Sequence, residues 1–143
     1  MNVETILRNK GGWVATIRPG ATIAEAVDML NRERIGALVV SEDGERVDGI
    51  LSERDIVIAL AEDGASLLSR QVDAIMTRRV VTCEPADTVQ ELMAEMTNRR
   101  IRHFPVVTDG RLCGIVSIGD VVKNRLDEVE FEAKSLRSFI ASA

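Results

Sequence analysis

One stretch of this chain echoes another, and the echo constrains the fold more than any other feature. Pro19, Thr22, Glu25 and Gly44 recur as Pro85, Thr88, Glu91 and Gly110, each 66 residues later. Gly49, Ser52 and Asp55 recur as Gly114, Ser117 and Asp120, 65 residues later. One residue is lost in or just after a turn, where length changes are tolerated. A unit this small buries little apolar surface alone. The two copies are therefore expected to pack together about a pseudo-two-fold axis.

The unit reads as strand–helix–strand–strand–helix. In the first copy Val14–Ile17 is a strand stopped by Pro19-Gly20. Thr22-Ile-Ala-Glu25 is a capping box, and Ile23, Ala26, Val27 and Leu30 form the apolar face of the helix it opens. The run Ala37–Val40 reads as a buried strand, and Asp43-Gly44 lies in a hairpin turn between Ser41 and Arg46. A strand over 47–51 follows. Ser52 then opens a helix with Ile56, Val57 and Leu60 facing inward. The spacing predicts a connecting helix over Ser66–Met76. In the second copy Val80–Cys83 is the first strand and Thr88-Val-Gln-Glu91 the capping box. Phe104–Val107, the Asp109-Gly110 turn and Leu112–Val116 form the next hairpin. Residues 1–75 are read as the first repeat with its N-terminal segment and connecting helix, and 76–125 as the second. Residues 126–143 form a C-terminal helix extension.

That extension belongs to a stretch with no Gly or Pro from Asp120 to Ala143. Val122, Leu126, Val129, Ala133, Leu136 and Ile140 recur at threes and fours, which favours one long helix with an apolar seam. The seam suits packing on its own domain, a dimer contact or a target-binding surface.

Composition excludes several function classes. The net charge is −5 and there is no Tyr, which argues against a nucleic-acid backbone binder or an aromatic base-stacking platform. Cys83, Cys113 and the lone His103 supply no standard zinc set, so no metal is expected and the cysteines read as small core residues. No run approaches a membrane span and no signal peptide is evident, so a cytoplasmic protein is expected. No nucleophile–base set appears, so no enzyme is expected.

The recurring stretches Gly49-Ile-Leu-Ser-Glu-Arg-Asp55 and Gly114-Ile-Val-Ser-Ile-Gly-Asp120 each set a hydroxyl and a carboxylate at a helix N-terminus. Two readings stand. Ser-x-x-Asp is close to a capping box and serves the helix. Alternatively, the carboxylate accepts vicinal hydroxyls of a ligand beside free amides that favour negative charge.

In order and in duplicate, these motifs resemble the cystathionine-β-synthase (CBS) domain family, present as a tandem pair of the stand-alone bacterial type. The resemblance rests on Pro19 and Pro85, Thr22 and Thr88, Ile35–Val40 with Ile101–Val107, and the two Ser-x-x-Asp stretches. It runs from about Gly12 to Lys123. It implies an α+β module of two β-α-β-β-α repeats with two clefts that commonly bind adenine nucleotides: AMP, ADP, ATP or NAD. By the resemblance Asp55 and Asp120 take ribose hydroxyls, and Arg102 and His103 match a phosphate-contacting pair. One cleft would combine Asp120, Ser117, Ile115, Arg102 and His103 with Ile35 and Gly36, where glycine allows close approach. Lys10, Gly12 and Val14 would line its adenine. The other would use Asp55, Ser52 and Arg54, with Thr77, Arg78 and Val80 on the adenine side. The first copy holds Gly36 and Ala37 in place of Arg102 and His103, and the second holds Gly119 in place of Arg54. The Asp120 cleft is thus expected to be the better phosphate binder. The expected function is a nucleotide-sensing regulatory module, a homodimer that signals to a protein target. The other reading is a ligand-independent dimeric scaffold acting through the C-terminal helix.

Overall fold

The computed structural model describes residues 1–142. Its elements are α1 (Val3–Lys10), β1 (Thr16–Ile17), α2 (Ile23–Glu33), β2 (Ala37–Val40), β3 (Gly49–Ser52) and α3 (Glu53–Asp63), followed by α4 (Val89–Arg99), β4 (His103–Thr108), β5 (Arg111–Ser117) and α5 (Ile118–Ser142). Both threonine capping boxes form as the sequence predicts. Thr22 accepts from the Glu25 amide while the Glu25 carboxylate accepts from the Thr22 amide, and Thr88 and Glu91 do the same. The Asp109-Gly110 turn has positive φ at both residues, 52° and 76°. That matches the right-handed twist of the strands it joins.

Each half builds its own core. Ile23, Leu30, Leu38, Leu51 and Leu67 fill the first. Val89, Leu92, Met96, Phe104 and Val116 fill the second. The chain crosses between the halves at both entrances. α1 precedes the first repeat, yet Val3 and Ile6 are buried in the second core. The segment leading into the second repeat pairs with β3 of the first, where Ile50 and Thr77 exchange backbone hydrogen bonds of 2.9 and 2.8 Å. This reciprocal exchange is what an approximate two-fold between the copies requires. It also explains two glycines. A Cβ on Gly114 would meet Leu7 Cδ2 at 2.5 Å, and one on Gly49 would meet Met76 Sδ at 2.7 Å and the Thr77 carbonyl at 3.0 Å.

The structure departs from the expected elements in four places. First, β1 pairs parallel with β2 and β2 antiparallel with β3, but the second copy has only β4 and β5. The strand expected over 80–83 is reduced to a single parallel bridge between Cys83 and Val106. Proline is the cause. In the first copy Val39 N–H donates to the Ala15 carbonyl at 3.2 Å. The second copy places Pro105 at that position, and proline has no N–H to donate.

Second, the connecting helix is two short 3-10 turns, Gly64–Ser69 and Val72–Ala74. The backbone there is drawn to α2 instead of its own ladder: Ile23 N–H donates to the Arg70 carbonyl and Val72 N–H to the Ala21 carbonyl. Third, Val57 and Leu60 of α3 face outward, and only Ala59 is fully buried. Fourth, α5 buries Val121 and Asn124, not the seam, so packing on its own domain is not what the seam does. Leu126 is 62% exposed, and Val122, Val129, Leu136 and Ile140 are also exposed. Ala143 lies outside the described residues.

Candidate functional site: two clefts at the helix caps

Both Ser-x-x-Asp stretches are full capping boxes. Asp55 N–H donates to Ser52 Oγ at 3.2 Å, and Asp55 Oδ2 accepts from Ser52 N–H at 2.9 Å and Ser52 Oγ at 3.1 Å. The same bonds join Ser117 and Asp120, at 3.2, 2.9 and 3.0 Å. Capping uses one carboxylate oxygen in each case. The other differs between the copies. Asp55 Oδ1 accepts from Thr77 Oγ1 at 3.2 Å. Among the described residues, Asp120 Oδ1 has no hydrogen-bond partner, and Lys10 Nζ instead donates to Oδ2 at 2.7 Å and to the Ile115 carbonyl at 3.0 Å. A cap and a cavity wall are therefore compatible roles for these aspartates, since each also lines a cavity.

The larger cavity, about 610 Å³, lies against Asp55. Ser52, Glu53, Arg54, Thr77 and Val80 line it beside Asp55. So do Arg79, Arg100, Arg102 and His103 from the second repeat and the segment before it. The smaller, about 390 Å³, lies against Asp120, with Lys10, Trp13, Val14, Arg34, Ile35, Ile115 and Ser117. Gly36 and His103 line both cavities and form their common wall. A Cβ on Gly36 would sit 3.4 Å from the His103 ring, so the wall has no slack there.

Charge is unevenly placed. Burial pushes the His103 pKa below the ordinary imidazole range. Lys10 and Arg102 lower it further, and Glu53 and Asp120 only partly oppose them. His103 therefore stands neutral at pH 7 in the wall. For Asp120 burial acts upward but is outweighed by the Lys10 hydrogen bond and the Ser117 amide, so its carboxyl is held below the usual range. Burial pushes the Cys83 thiol up to about 12, as befits a core residue without thiolate chemistry. Among the described residues no cluster of three His, Cys, Asp or Glu side chains could hold a metal, and no helix is long and apolar enough to cross a membrane.

Three placements differ from the sequence-based grouping. Arg102 lines the Asp55 cavity, not the Asp120 one. It lies just before β4, and it shares the Asp55 cavity with His103, which also reaches the other cavity as their common wall. Arg78 is turned away, its guanidinium donating to the Asp73 carbonyl at 2.9 Å, and Arg79 lines the cavity in its stead. Gly12 lines neither cavity. It packs on the second repeat, where a Cβ would meet the Cys113 carbonyl at 3.0 Å, and Trp13 reaches the cavity instead.

The charged and aromatic lining residues missed by sequence reasoning are Trp13, Arg34, Glu53, Arg79 and Arg100. A signal for four of them was present. Trp13 and Arg79 are 66 residues apart, as are Arg34 and Arg100. Each pair occupies equivalent places in the two copies.

A CBS domain family model matches residues 14–62 and 72–127, the two repeats. A mitochondrial CBS domain-containing protein of Arabidopsis thaliana is 38% identical over 96% of this chain and 71% of its own length. Among solved structures, a CBS-domain protein of Agrobacterium tumefaciens is 47% identical, with a TM-score of 0.84, over 87% of this chain and 99% of that one. A CBS domain pair solved in complex with 5′-methylthioadenosine and S-adenosyl-L-methionine is 28% identical, with a TM-score of 0.79, over 90% of this chain and 98% of that one. With two complete repeats matched and the pair architecture shared, this chain belongs to the CBS domain family.

Proposed function

We propose that this chain is a non-enzymatic regulatory module that binds adenine nucleotides in the two clefts and passes their occupancy to a partner protein. The observation that carries this reading is the pair of cavities, each walled by a helix-capping aspartate from one repeat and by basic side chains. Their volumes fall in the roughly 300–1,000 Å³ range of small-molecule sites. An aspartate with one oxygen committed to the cap still offers lone pairs to a cis-diol, and the basic groups meet phosphate. The adenosine compounds bound by the related domain pair support the same ligand class.

Calorimetric titration with AMP, ADP, ATP and NAD tests the reading. The expected result is saturable heat with at least one of them, weakened in Asp55→Asn or Asp120→Asn. Absence of heat with all four sinks it.

A second feature suits a homodimer. Val57, Ile58 and Leu60 on α3 and Val122, Leu126 and Val129 on α5 expose apolar side chains. A second copy covering these helices would remove that surface from water. A Val122→Glu, Leu126→Glu variant should sediment as a monomer if this is the contact. If the variant keeps the oligomeric state of the parent, the contact is elsewhere. A purely structural scaffold acting through α5 predicts partner capture that ignores nucleotide.

A further inference from the structure

The two cavities differ in charge at equivalent positions. Arg54, Arg79 and Arg102 line the Asp55 cavity. The equivalent places of the other copy hold Gly119, Trp13 and Gly36, respectively. Only the Arg100 position keeps its charge, as Arg34. Four arginines thus face two carboxylates, Glu53 and Asp55, in the larger cavity. Among the described residues, none of the four makes a side-chain hydrogen bond or an ion pair. Elsewhere arginines do pair, as Arg8 does with Glu4, Arg32 with Asp28 and Arg125 with Glu128. Four unpaired guanidinium groups around one concavity, in a chain of net charge −5, raise a local positive potential that a single phosphate does not saturate.

The Asp120 cavity is built otherwise. Its lysine is already committed, 2.7 Å from Asp120 and 3.0 Å from the Ile115 carbonyl, which leaves Arg34 as its one uncommitted full cation among the described residues. In place of Arg79 it has Trp13, the only tryptophan of the chain, with 65% of its surface exposed at the cavity edge. An indole left in water at the rim of a polar cleft is a stacking face for a planar base.

We propose that the two clefts sort ligands by charge: the Asp55 cleft takes an adenine nucleotide with a di- or triphosphate, and the Asp120 cleft takes an adenosine derivative carrying little negative charge, its base stacked on Trp13. This inference rests on the nucleotide-binding reading above and deepens it. It reverses the order of phosphate affinity that the Arg102-His103 pair suggested from sequence. Guanidinium forks bind phosphate oxygens in pairs, so each added phosphate finds a further partner in the first cleft. In the second cleft a polyphosphate would meet Asp120, and the Lys10 contact would have to break before that lysine could help.

Because Trp13 is the sole tryptophan, its fluorescence reports the Asp120 cleft in the intact protein. The experiment titrates the wild type, an Arg79→Gln, Arg102→Gln variant and a Trp13→Leu variant with ATP and with uncharged adenosine, by calorimetry and fluorescence. Adenosine should change the Trp13 emission. ATP should release heat with a stronger salt dependence. The arginine variant should weaken ATP by about tenfold or more and leave adenosine unchanged. Trp13→Leu should weaken adenosine by about fivefold or more and leave ATP unchanged. The sorting is overturned if the arginine variant loses both ligands equally, if ATP affinity is unmoved, or if ATP and adenosine compete for the Trp13 signal with equal affinity. Those results leave nucleotide binding in place. No response to either ligand overturns the proposed function itself, and the sorting with it.

Discussion

The two clefts share their backbone machinery and differ in almost every charged group. Ser52-Asp55 and Ser117-Asp120 form the same hydrogen bonds to within about a tenth of an ångström. Gly49 and Gly114 both make room for the incoming segment of the other half. Around that common frame one cleft carries four arginines unpaired among the described residues, and the other a lysine–aspartate pair, one arginine and an indole. The difference shows which positions of a duplicated unit are bound by the fold. The helix-capping residues and the glycines at close contacts stay alike, because a change there strands a helix amide or forces a clash. Those that project into the clefts carry no such penalty and are free to diverge, which lets one scaffold hold two chemically distinct sites.

The largest effect should come from asking whether the halves are one body. Leu38 and Phe104 occupy equivalent core positions, and both are essentially inaccessible to water. Leu38→Ala and Phe104→Ala should each cost roughly 3–4 kcal/mol of stability. Because α1 and the segment at Thr77 each lie in the other half, either variant should shift a single cooperative unfolding transition. Two transitions, only one of them moved, would show that the halves unfold apart and that their comparison is one of separate domains.

Next is the backbone contact. Gly49→Ala places a methyl within 3.0 Å of the Thr77 carbonyl, which cannot rotate away. Gly114→Ala meets only the end of the Leu7 side chain. Denaturant titration should find a loss of about 2 kcal/mol for the first and about 1 kcal/mol for the second. The reverse order would mean that Leu7 is the less yielding neighbour.

Replacing each aspartate by asparagine should be somewhat milder, because the amide oxygen still caps the helix. Asp55→Asn should weaken the ligand of its own cleft by about 1–2 kcal/mol, roughly tenfold. Asp120→Asn also frees Lys10, so a charged nucleotide should gain at that cleft while adenosine loses. Equal losses for both ligands in both variants would erase the distinction between the clefts.

The smallest effect concerns the shared wall. Burial holds His103 below its ordinary value of 6.5, so below that pH the unfolded chain binds a proton that the folded chain resists. The stability tied to His103 is full above about pH 6.5 and is lost as pH falls toward its lowered folded value. Asp120 acts in another window: its contribution is present above its ordinary 3.8 and disappears only as pH falls through a still lower folded value. Denaturant midpoints compared between about pH 7.5 and pH 5.5 should fall less in His103→Gln than in the parent. A bound phosphate should reverse the trend, because an anion beside His103 favours its charged form and binding then takes up a proton. An unchanged slope in the variant would place the pH response elsewhere.

The residues themselves determined the repeat, the four caps and the turns, because these depend on relations along the chain. Thr22 meets the Glu25 amide, and Ser52 the Asp55 amide, three residues on, whatever lies beyond the helix. The strand expected over 80–83 failed for a reason that needed the fold: Pro105 lacks the N–H that Val39 gives to the Ala15 carbonyl in the first copy. The family resemblance pointed Arg102, His103, Arg54 and the two aspartates to the clefts, and each of them lines a cavity. That Arg102 and Arg79 line the Asp55 cleft was decided only by tertiary structure. A cleft is closed by side chains from both copies, and the two-fold packing and the crossing of α1 to the second core are not encoded in any single spacing. That is why Arg102 stands with Asp55, 47 residues away in a chain whose repeat is 66, although the family pattern grouped it with Asp120.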